Sequence, residues 1–439
     1  MTQVKTLICS KGYFQALFKP MLVLLLLMTC SAALADDLGC NGDYVKLKKN
    51  SQVILVSPNG FNDTFNIQCA LDAAIRDGYP TVELTAGTFY TGGITVENFN
   101  GTLEGTTRAS TIVETLNEVI DCTAMVNAGR APSVFKFING EPRIRFMTIK
   151  AGHACIDDET PLHYLFHFTG AAAYVDNCDN EVIFASMDRV SLMHFHEAGV
   201  PRIAVGVFGE GVFFDTCKTT LLGTFKFNRS SIEDYSIGVL TSMRGAAQVD
   251  INFNEFSGNH IAIVLQDTNQ NTTITTNTIN GFSNAIRSFS GVLISAFPLT
   301  SPKKTRVIID NNDFNIASSD NPGIAVEVYE TYSVNVSSVI SNNHFNLSGD
   351  MGSGLVFSGV SNATVSTNRF SGSGQRAIYA GALGAASGWT ITSNTGLAGF
   401  HSNGGADIVL DTNTSDCFVG ADQGAVVNNM GSGNTVLPQ

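Results

Sequence analysis

VDINFNEF (residues 249–256), TTITTNTI (272–279), VIIDNNDF (307–314), SVISNNHF (338–345), ATVSTNRF (363–370) and WTITSNTG (389–396) are copies of one pattern. Each holds an aliphatic residue, Asn three places on, and two further an apolar residue, or Gly in the last copy. The sets are Ile251, Asn254, Phe256; Ile274, Asn277, Ile279; Ile309, Asn312, Phe314; Ile340, Asn343, Phe345; Val365, Asn368, Phe370; and Ile391, Asn394, Gly396. The asparagines stand 23, 35, 31, 25 and 26 residues apart. Self-similarity at such a period marks stacked units, each burying its neighbour's apolar face. Most of the apolar residues are β-branched or aromatic and flanked by Thr, Ser and Asn, which is strand chemistry and not that of helical repeats.

A second apolar pair follows most copies: Ala262-Ile263, Ala285-Ile286, Gly323-Ile324, Gly354-Leu355 and Ala377-Ile378. Each unit therefore contains at least two short strands with a turn between them. Asn tolerates the left-handed conformation, so the repeated Asn is expected to make each turn, with its amide bonded to the Asn of the next rung. Units of this kind stack into a parallel β-helix.

The N-terminal part points the same way. FNIQCALDAAIR (65–76), TVELTAGTFYTGGITV (81–96) and GTLEGTTRASTIV (101–113) resemble the opening of the right-handed parallel β-helix superfamily, the pectin-lyase-like fold. There a capping helix precedes a strand, a Gly-Thr-aromatic turn and a Gly-rich first rung. Together with the repeats the resemblance covers most of residues 60–430. It implies an all-β, right-handed parallel β-helix solenoid with an N-terminal capping helix, and leaves the reaction open, since one fold hosts many functions. The expected division is a signal segment at 1–35, irregular rungs at 80–225, regular Asn-ladder rungs at 226–400 and a C-terminal cap at 401–439.

Residues 1–35 carry Lys5, Lys11 and Lys19, no acidic residue, an apolar run at 21–28, and Ala33-Leu34-Ala35 before Asp36. This is the layout of a cleavable secretory signal, and the run is too short for a membrane span. Lipoprotein processing at Cys30 is the alternative, but Leu27-Met28-Thr29 lacks the small residue such a site needs. Cleavage leaves 22 basic residues against 38 acidic, a formal charge of −16. That balance argues against nucleic acid as a partner, and against any polyanion unless a local basic patch or bound Ca²⁺ reverses the field. The mature chain is expected to be a secreted or periplasmic monomer. It keeps seven cysteines, enough for up to three disulfides; Cys155 and Cys178, 23 apart, are about one rung from each other.

Residues 45–56, VKLKKNSQVILV, read as a lead-in strand, and Asn62 or Asp63 as the N-cap of the capping helix. Phe65, Ala70, Leu71, Ala74 and Ile75 are expected to close the open end of the core, because a bare solenoid end is an exposed edge.

Between residues 115 and 224 the repeat is hard to follow. PRIRFMTIKAG (142–152), EVIFASMDRVSLMHF (181–195) and PRIAVGVFG (201–209) read as strands separated by excursions, and five of the eight histidines fall between His153 and His196. Excursions from a solenoid gather on one face and often build its groove. Two chemistries fit the residues there. Glycoside hydrolysis needs two carboxylates, available among Asp157, Asp158, Glu159 and Asp188. Lyase or epimerase chemistry on a uronate needs a base (Lys150, His194 or His196) and a cation to neutralise the sugar carboxylate (Arg143, Arg145 or Arg202), with acidic residues holding Ca²⁺. The candidate catalytic set is Lys150, Asp157, Asp158, His194, His196 and Arg202. Arg143 and Arg145 flank Ile144 in an alternating strand, so their bland reading is a solvated face. The motifs of known enzymes of this fold do not recur: the single Trp is Trp389, outside any Trp-Ile-Asp-His, and Asp157-Asp158 sits between Ala154-Cys155-Ile156 and Glu159-Thr160, unlike the polygalacturonase pattern. The sequence thus fits an enzyme acting on polysaccharide, a non-catalytic glycan-binding or adhesive protein, or a structural element of an envelope.

Overall fold

The computed structural model describes residues 38–116, 133–151, 164–169, 184–194, 210–216, 222–235, 237–283, 288–296, 305–330, 336–359, 362–381, 384–401, 405–421 and 424–438. Each rung presents up to three strands, one to each of three lateral faces, and corresponding strands of successive rungs pair in parallel. The first face begins at Val53–Val56, Thr81–Leu84 and Thr102–Gly105 and continues through Arg143–Arg145, Phe184–Asp188 and Leu222–Asn228. The second is a sheet of ten parallel strands from Gly87–Thr91 to Arg369–Gly372. The third runs from Ile94–Phe99 through Ser133–Gly140, Tyr164–Thr169 and Glu210–Thr216. Two long strands, Ile237–Asn252 and Ile261–Thr275, pass from the third face into the first and merge these faces into one 25-stranded sheet. Among the described residues the one antiparallel pairing is the lead-in hairpin of Val45–Leu47 with Val53–Val56. The molecule is a parallel β-helix, as expected.

The repeated pattern maps onto the inward columns. Ile251, Ile274, Ile309, Ile340, Val365 and Ile391 form the buried column of the first face, and Phe256, Ile279, Phe314, Phe345 and Phe370 that of the second. Phe314, Phe345 and Phe370 stack at 5.0 and 4.9 Å between ring centroids. Side chains of this size contribute about 1.5–3 kcal/mol each when fully buried, so each added rung is stabilised by burying its predecessor.

The corner between the first and second faces corrects the expected turn. The left-handed residue is the one before the Asn: Phe253 (φ 59°), Thr276 (55°), Asn311 (54°), Asn342 (55°), Thr367 (55°) and Ser393 (56°). The corner extends upstream to Phe146 (59°), Arg189 (53°) and Arg229 (47°), where no Asn follows. The asparagines themselves point inward and form the expected stack. The amide nitrogens of Asn254, Asn277, Asn312, Asn343 and Asn368 each donate to the next Asn Oδ1 at 2.9–3.0 Å. Ser230 ends the ladder, its backbone N–H donating to Asn254 Oδ1 at 3.0 Å. The same corner splits two stretches read as single strands. PRIRFMTIKAG becomes Arg143–Arg145 and Thr148–Ala151 around Phe146, and EVIFASMDRVSLMHF becomes Phe184–Asp188 and Ser191–His194 around Arg189. The winding therefore continues through the stretch where the repeat is hard to read. Residues 201–209, read as a strand, lie outside the described residues, as do the prolines at 298 and 302.

Helix α1, Thr64–Asp77, caps the N-terminal end and stops at Gly78 in the left-handed conformation. Ile67, Ala70, Leu71, Ala73 and Ala74 face the core, so three of the five residues expected there are buried, whereas Phe65 is 67% exposed and Ile75 also reaches solvent. Asp63 precedes it as N-cap without a capping bond to the helix backbone. Its carboxylate accepts instead from the N–H groups of Asn59 (2.8 Å) and Tyr90 (3.1 Å). Burial pushes its pKa up, opposed by those bonds. Cys40 and Cys69 form a disulfide that ties the lead-in to α1, and Cys417 is a buried free thiol. Cys155 and Cys178 lie outside the described residues.

Candidate functional site

The corner geometry dictates what the surface presents. In each rung a left-handed residue stands proud, the next residue turns in as the ladder Asn, and the one after opens the second face and points out again. Four successive rungs supply Thr276-Asn277-Thr278, Asn311-Asn312-Asp313, Asn342-Asn343-His344 and Thr367-Asn368-Arg369. Between the proud residues and the first outward column of the second face lies a cleft of about 400 Å³, with ladder asparagines in its lining. Register places Thr278, Asp313, His344 and Arg369 on neighbouring strands of that column.

The lining is cross-linked along the axis. Asn311 Nδ2 donates to Thr276 Oγ1 (3.3 Å), Thr367 Oγ1 to Asn342 Oδ1 (2.8 Å), and Asn342 Nδ2 to Asp310 Oδ1 (2.8 Å). His344 Nδ1 lies 3.6 Å from Asp313 Oδ1, and its Nε2 is bonded to Ser371 Oγ at 2.9 Å. One column further out, Asn280, Asn315 and Asn346 bond in series at 3.1 and 3.2 Å. The cleft thus offers amides and hydroxyls at the rung spacing, about 4.8 Å, with a carboxylate, an imidazole and a guanidinium in line along one side.

Upstream the same corner changes character. Arg145 Nε donates to Glu104 at 2.5 Å and Arg229 Nε to Asp188 at 2.6 Å, while Arg189 reaches Asp188 only at 3.5 Å. The guanidiniums of Arg145 and Arg189 both lie over the Phe146 ring, at 5.4 and 5.3 Å. Phe253, next after Arg229, is 62% exposed.

Of the residues singled out from sequence, Asp157, Asp158, His196 and Arg202 lie outside the described residues. Lys150 sits on the second face, 3.4 Å from Glu114 and in register with Met193. His194 ends the neighbouring strand in register with Ala151, one position beyond the column of Lys150. Arg143 and Arg145 alternate with buried Ile144 and project from the first face, the solvated arrangement of the bland reading, with Arg143 over the Phe184 ring at 5.4 Å. Sequence reasoning missed Asp313, His344 and Arg369. Their signal was present: each follows a ladder Asn directly, so aligning the repeats puts them in one column. It also missed Lys136, whose pKa burial pushes down, opposed by Glu97; on the third face it is in register with His167.

These features define a parallel β-helix protein with a polar cleft along one lateral corner. The chain belongs to the family described as "Periplasmic copper-binding protein (NosD)", whose model matches residues 180–405, just over half of its length. The family's compartment agrees with the expected secreted or periplasmic location, and among the described residues no helix is long and apolar enough to cross a membrane. No curated protein sequence matches the chain. Solved structures similar to it include the Dettilon tailspike protein (12% identity, 87% of this chain and 68% of that one, TM-score 0.46). Others are the A-module of an Azotobacter vinelandii mannuronan C-5 epimerase (14%, 87% and 95%, 0.47) and the DFA-IIIase of Arthrobacter chlorophenolicus A6 (13%, 84% and 93%, 0.46).

Proposed function

We propose that the protein is an exported, single-domain β-helix that holds an extended polysaccharide along its lateral corner, without chemistry as the primary reading. The observation that carries this is the cleft itself. Its hydroxyl and amide groups recur at the rung period along the axis, so successive units of a linear polymer meet hydrogen-bonding partners at each rung, while Asp313, His344 and Arg369 each occur once along one side. The outward row of Asn280, Asn315 and Asn346 beside the cleft suits a binding surface rather than a converging catalytic cluster.

A catalytic reading is favoured by one observation: Asp313, His344 and Arg369 stand on three successive strands in the cleft. An imidazole positioned by a carboxylate, beside a guanidinium, is the set that abstraction of a proton α to a sugar carboxylate requires. The set Lys150, Asp157, Asp158, His194, His196 and Arg202 belongs to the same reading, in a groove formed by the 143–202 excursions. The family's description names copper, and Ca²⁺ is the ion a uronate enzyme would use. Among the described residues no three His, Cys, Asp or Glu stand close enough together to hold a metal ion. No step is therefore derived through either ion.

The test is incubation of the chain from Asp36 onward with neutral and uronate polysaccharides, with Ca²⁺ and with EDTA. Binding is followed by calorimetry, together with the ultraviolet absorbance of unsaturated uronates and the release of reducing ends. Binding without products, weakened about tenfold by Thr367→Ala combined with His344→Ala, supports the primary reading. Absorbance or reducing ends lost in His344→Ala favour catalysis in the cleft, and no binding to any polysaccharide overturns both.

A further inference from the structure

Resting on the polysaccharide reading, we propose that the corner upstream of the cleft is an anion-binding subsite, so that the polymer is acidic, carrying carboxylate or sulfate groups. Three observations support this independently of the cleft. First, the chain is acidic overall, yet Arg145, Arg189 and Arg229 are clustered at three successive rungs of one corner, against Glu104 and Asp188. A guanidinium has five N–H donors. Arg145 and Arg229 each commit Nε to a carboxylate, and Arg189 has only the 3.5 Å approach of Asp188 among the described residues. Most of their donors therefore face solvent, in the fork geometry that grips a carboxylate or sulfate at two points.

Second, Arg189 and Arg145 both lie over the Phe146 ring, which restrains the guanidinium planes before any ligand arrives and lowers the entropy lost on binding. Third, Phe146, Arg189, Arg229 and Phe253 all occupy left-handed backbone, where Gly or Asn would be unstrained. Bulky residues in that region are outliers, and strain of this sort collects at functional sites. Further along the corner Asn311 and Asn342 fill the same position, so the substitution is available to the fold. Exposed Phe253 adjoins Arg229 on the cleft side and offers a flat apolar surface to the C–H face of a sugar ring whose anionic group reaches the arginines.

The experiment compares a polyuronate, a sulfated polysaccharide, a neutral glucan and single-stranded DNA by calorimetry at low and high salt. The proteins are wild type and an Arg189→Asn, Arg229→Asn double variant, which keeps residues suited to the left-handed turns. Expected is salt-sensitive binding of one acidic polysaccharide, weakened about tenfold or more in the double variant, with neutral-glucan affinity unchanged and the thermal midpoint no lower than wild type. The uronate and sulfate arms identify the anionic group. Equal affinity for acidic and neutral chains, a double variant that loses nothing, or DNA bound as tightly as the acidic polysaccharide overturns the subsite. A double variant that loses both glycans equally, or melts early, also overturns it. Failure of the cleft reading looks different: wild type then binds none of the polysaccharides.

Discussion

Asn312 and Asn343 are joined twice: the side-chain Nδ2 and the backbone N–H of Asn312 both donate to Oδ1 of Asn343, each at 2.9 Å. Asn343 in turn donates from Nδ2 to the Ile309 carbonyl at 2.9 Å and to Asn368 Oδ1 at 3.0 Å. One buried amide thus serves backbone groups of the corner on two sides. Asn343→Ala leaves several of these groups without partners in the core, at about 1–3 kcal/mol for each unsatisfied group. We expect a loss of about 3–6 kcal/mol, read as a lower thermal midpoint by circular dichroism. Asn346→Ala, in the solvent-facing row, is the control and should cost under about 1 kcal/mol. Equal effects of the two would show that the ladder does not stabilise the corner.

Phe253→Asn should stabilise the protein and weaken its ligand binding. The ring is 62% exposed, so little packing is lost, while the left-handed backbone at φ 59° suits Asn better than Phe. Relief of about 0.5–1 kcal/mol is expected from the cost of that conformation, visible as a higher thermal midpoint. Affinity for the polysaccharide should fall in the same variant. A variant that is less stable, or binds as well as wild type, argues that the ring serves packing.

The ladder was legible because a buried Asn is needed once per rung, which fixes its spacing to the axial repeat. The residue carrying the left-handed turn was misplaced by one, since Asn tolerates that conformation while its amide is also what the buried corner requires. At Thr276 and Thr367 the second demand governs and a β-branched residue takes the strained position. Ala70, Leu71 and Ala74 of α1 face the core as their spacing implies, but Phe65 and Ile75 do not, because the open end of the solenoid admits the smaller face that adds Ile67 and Ala73. Asp313, His344 and Arg369 are legible as a group only from the aligned ladder asparagines, each following its Asn directly, because rungs of unequal length scatter them along the chain. The 143–202 candidates depend on excursions whose form no local pattern specifies.

Tyr379 and Asp411 make a pH-bounded link near the C-terminal rungs. Tyr379 Oη donates to Asp411 Oδ2 at 2.6 Å, with the Arg376 guanidinium 4.2 Å from the ring centroid. The tyrosine bond, ahead of those from Thr412, holds Asp411 below the usual carboxylate range, and burial, then the Asp411 bond and charge, push Tyr379 up. A lowered acid stabilises the fold above its unfolded pKa, about 3.9 for Asp, and that contribution fades as pH falls through the folded value. A raised acid stabilises below its unfolded pKa, about 10 for Tyr, and that contribution fades as pH rises through the folded value. The midpoint difference between wild type and Tyr379→Phe should be flat from about pH 5 to 9 and shrink outside that window. A difference that does not change with pH would mean that the phenol acts by packing alone.

The Cys40–Cys69 disulfide should determine how firmly the N-terminal cap closes the core. It spans 29 residues and links the lead-in to α1, where Arg76 also donates to the Leu38 carbonyl at 3.0 Å. Closing a loop of that length removes unfolded-state entropy equivalent to about 3–4 kcal/mol. Cys40→Ser combined with Cys69→Ser should release the lead-in first, because the hairpin of Val45–Leu47 with Val53–Val56 lies at the end of the first face and only three residue pairs hold it. Once α1 lifts, buried Ile67 and Leu71 and the edge of Val53–Val56 are exposed, a surface suited to association. We therefore expect early protease cleavage between residues 41 and 63 in the double variant, a lower thermal midpoint and a rise in light scattering on heating. Reductant should reproduce all three in wild type. A variant that melts with wild type and resists cleavage would show that burial under α1 holds the cap without the covalent tie.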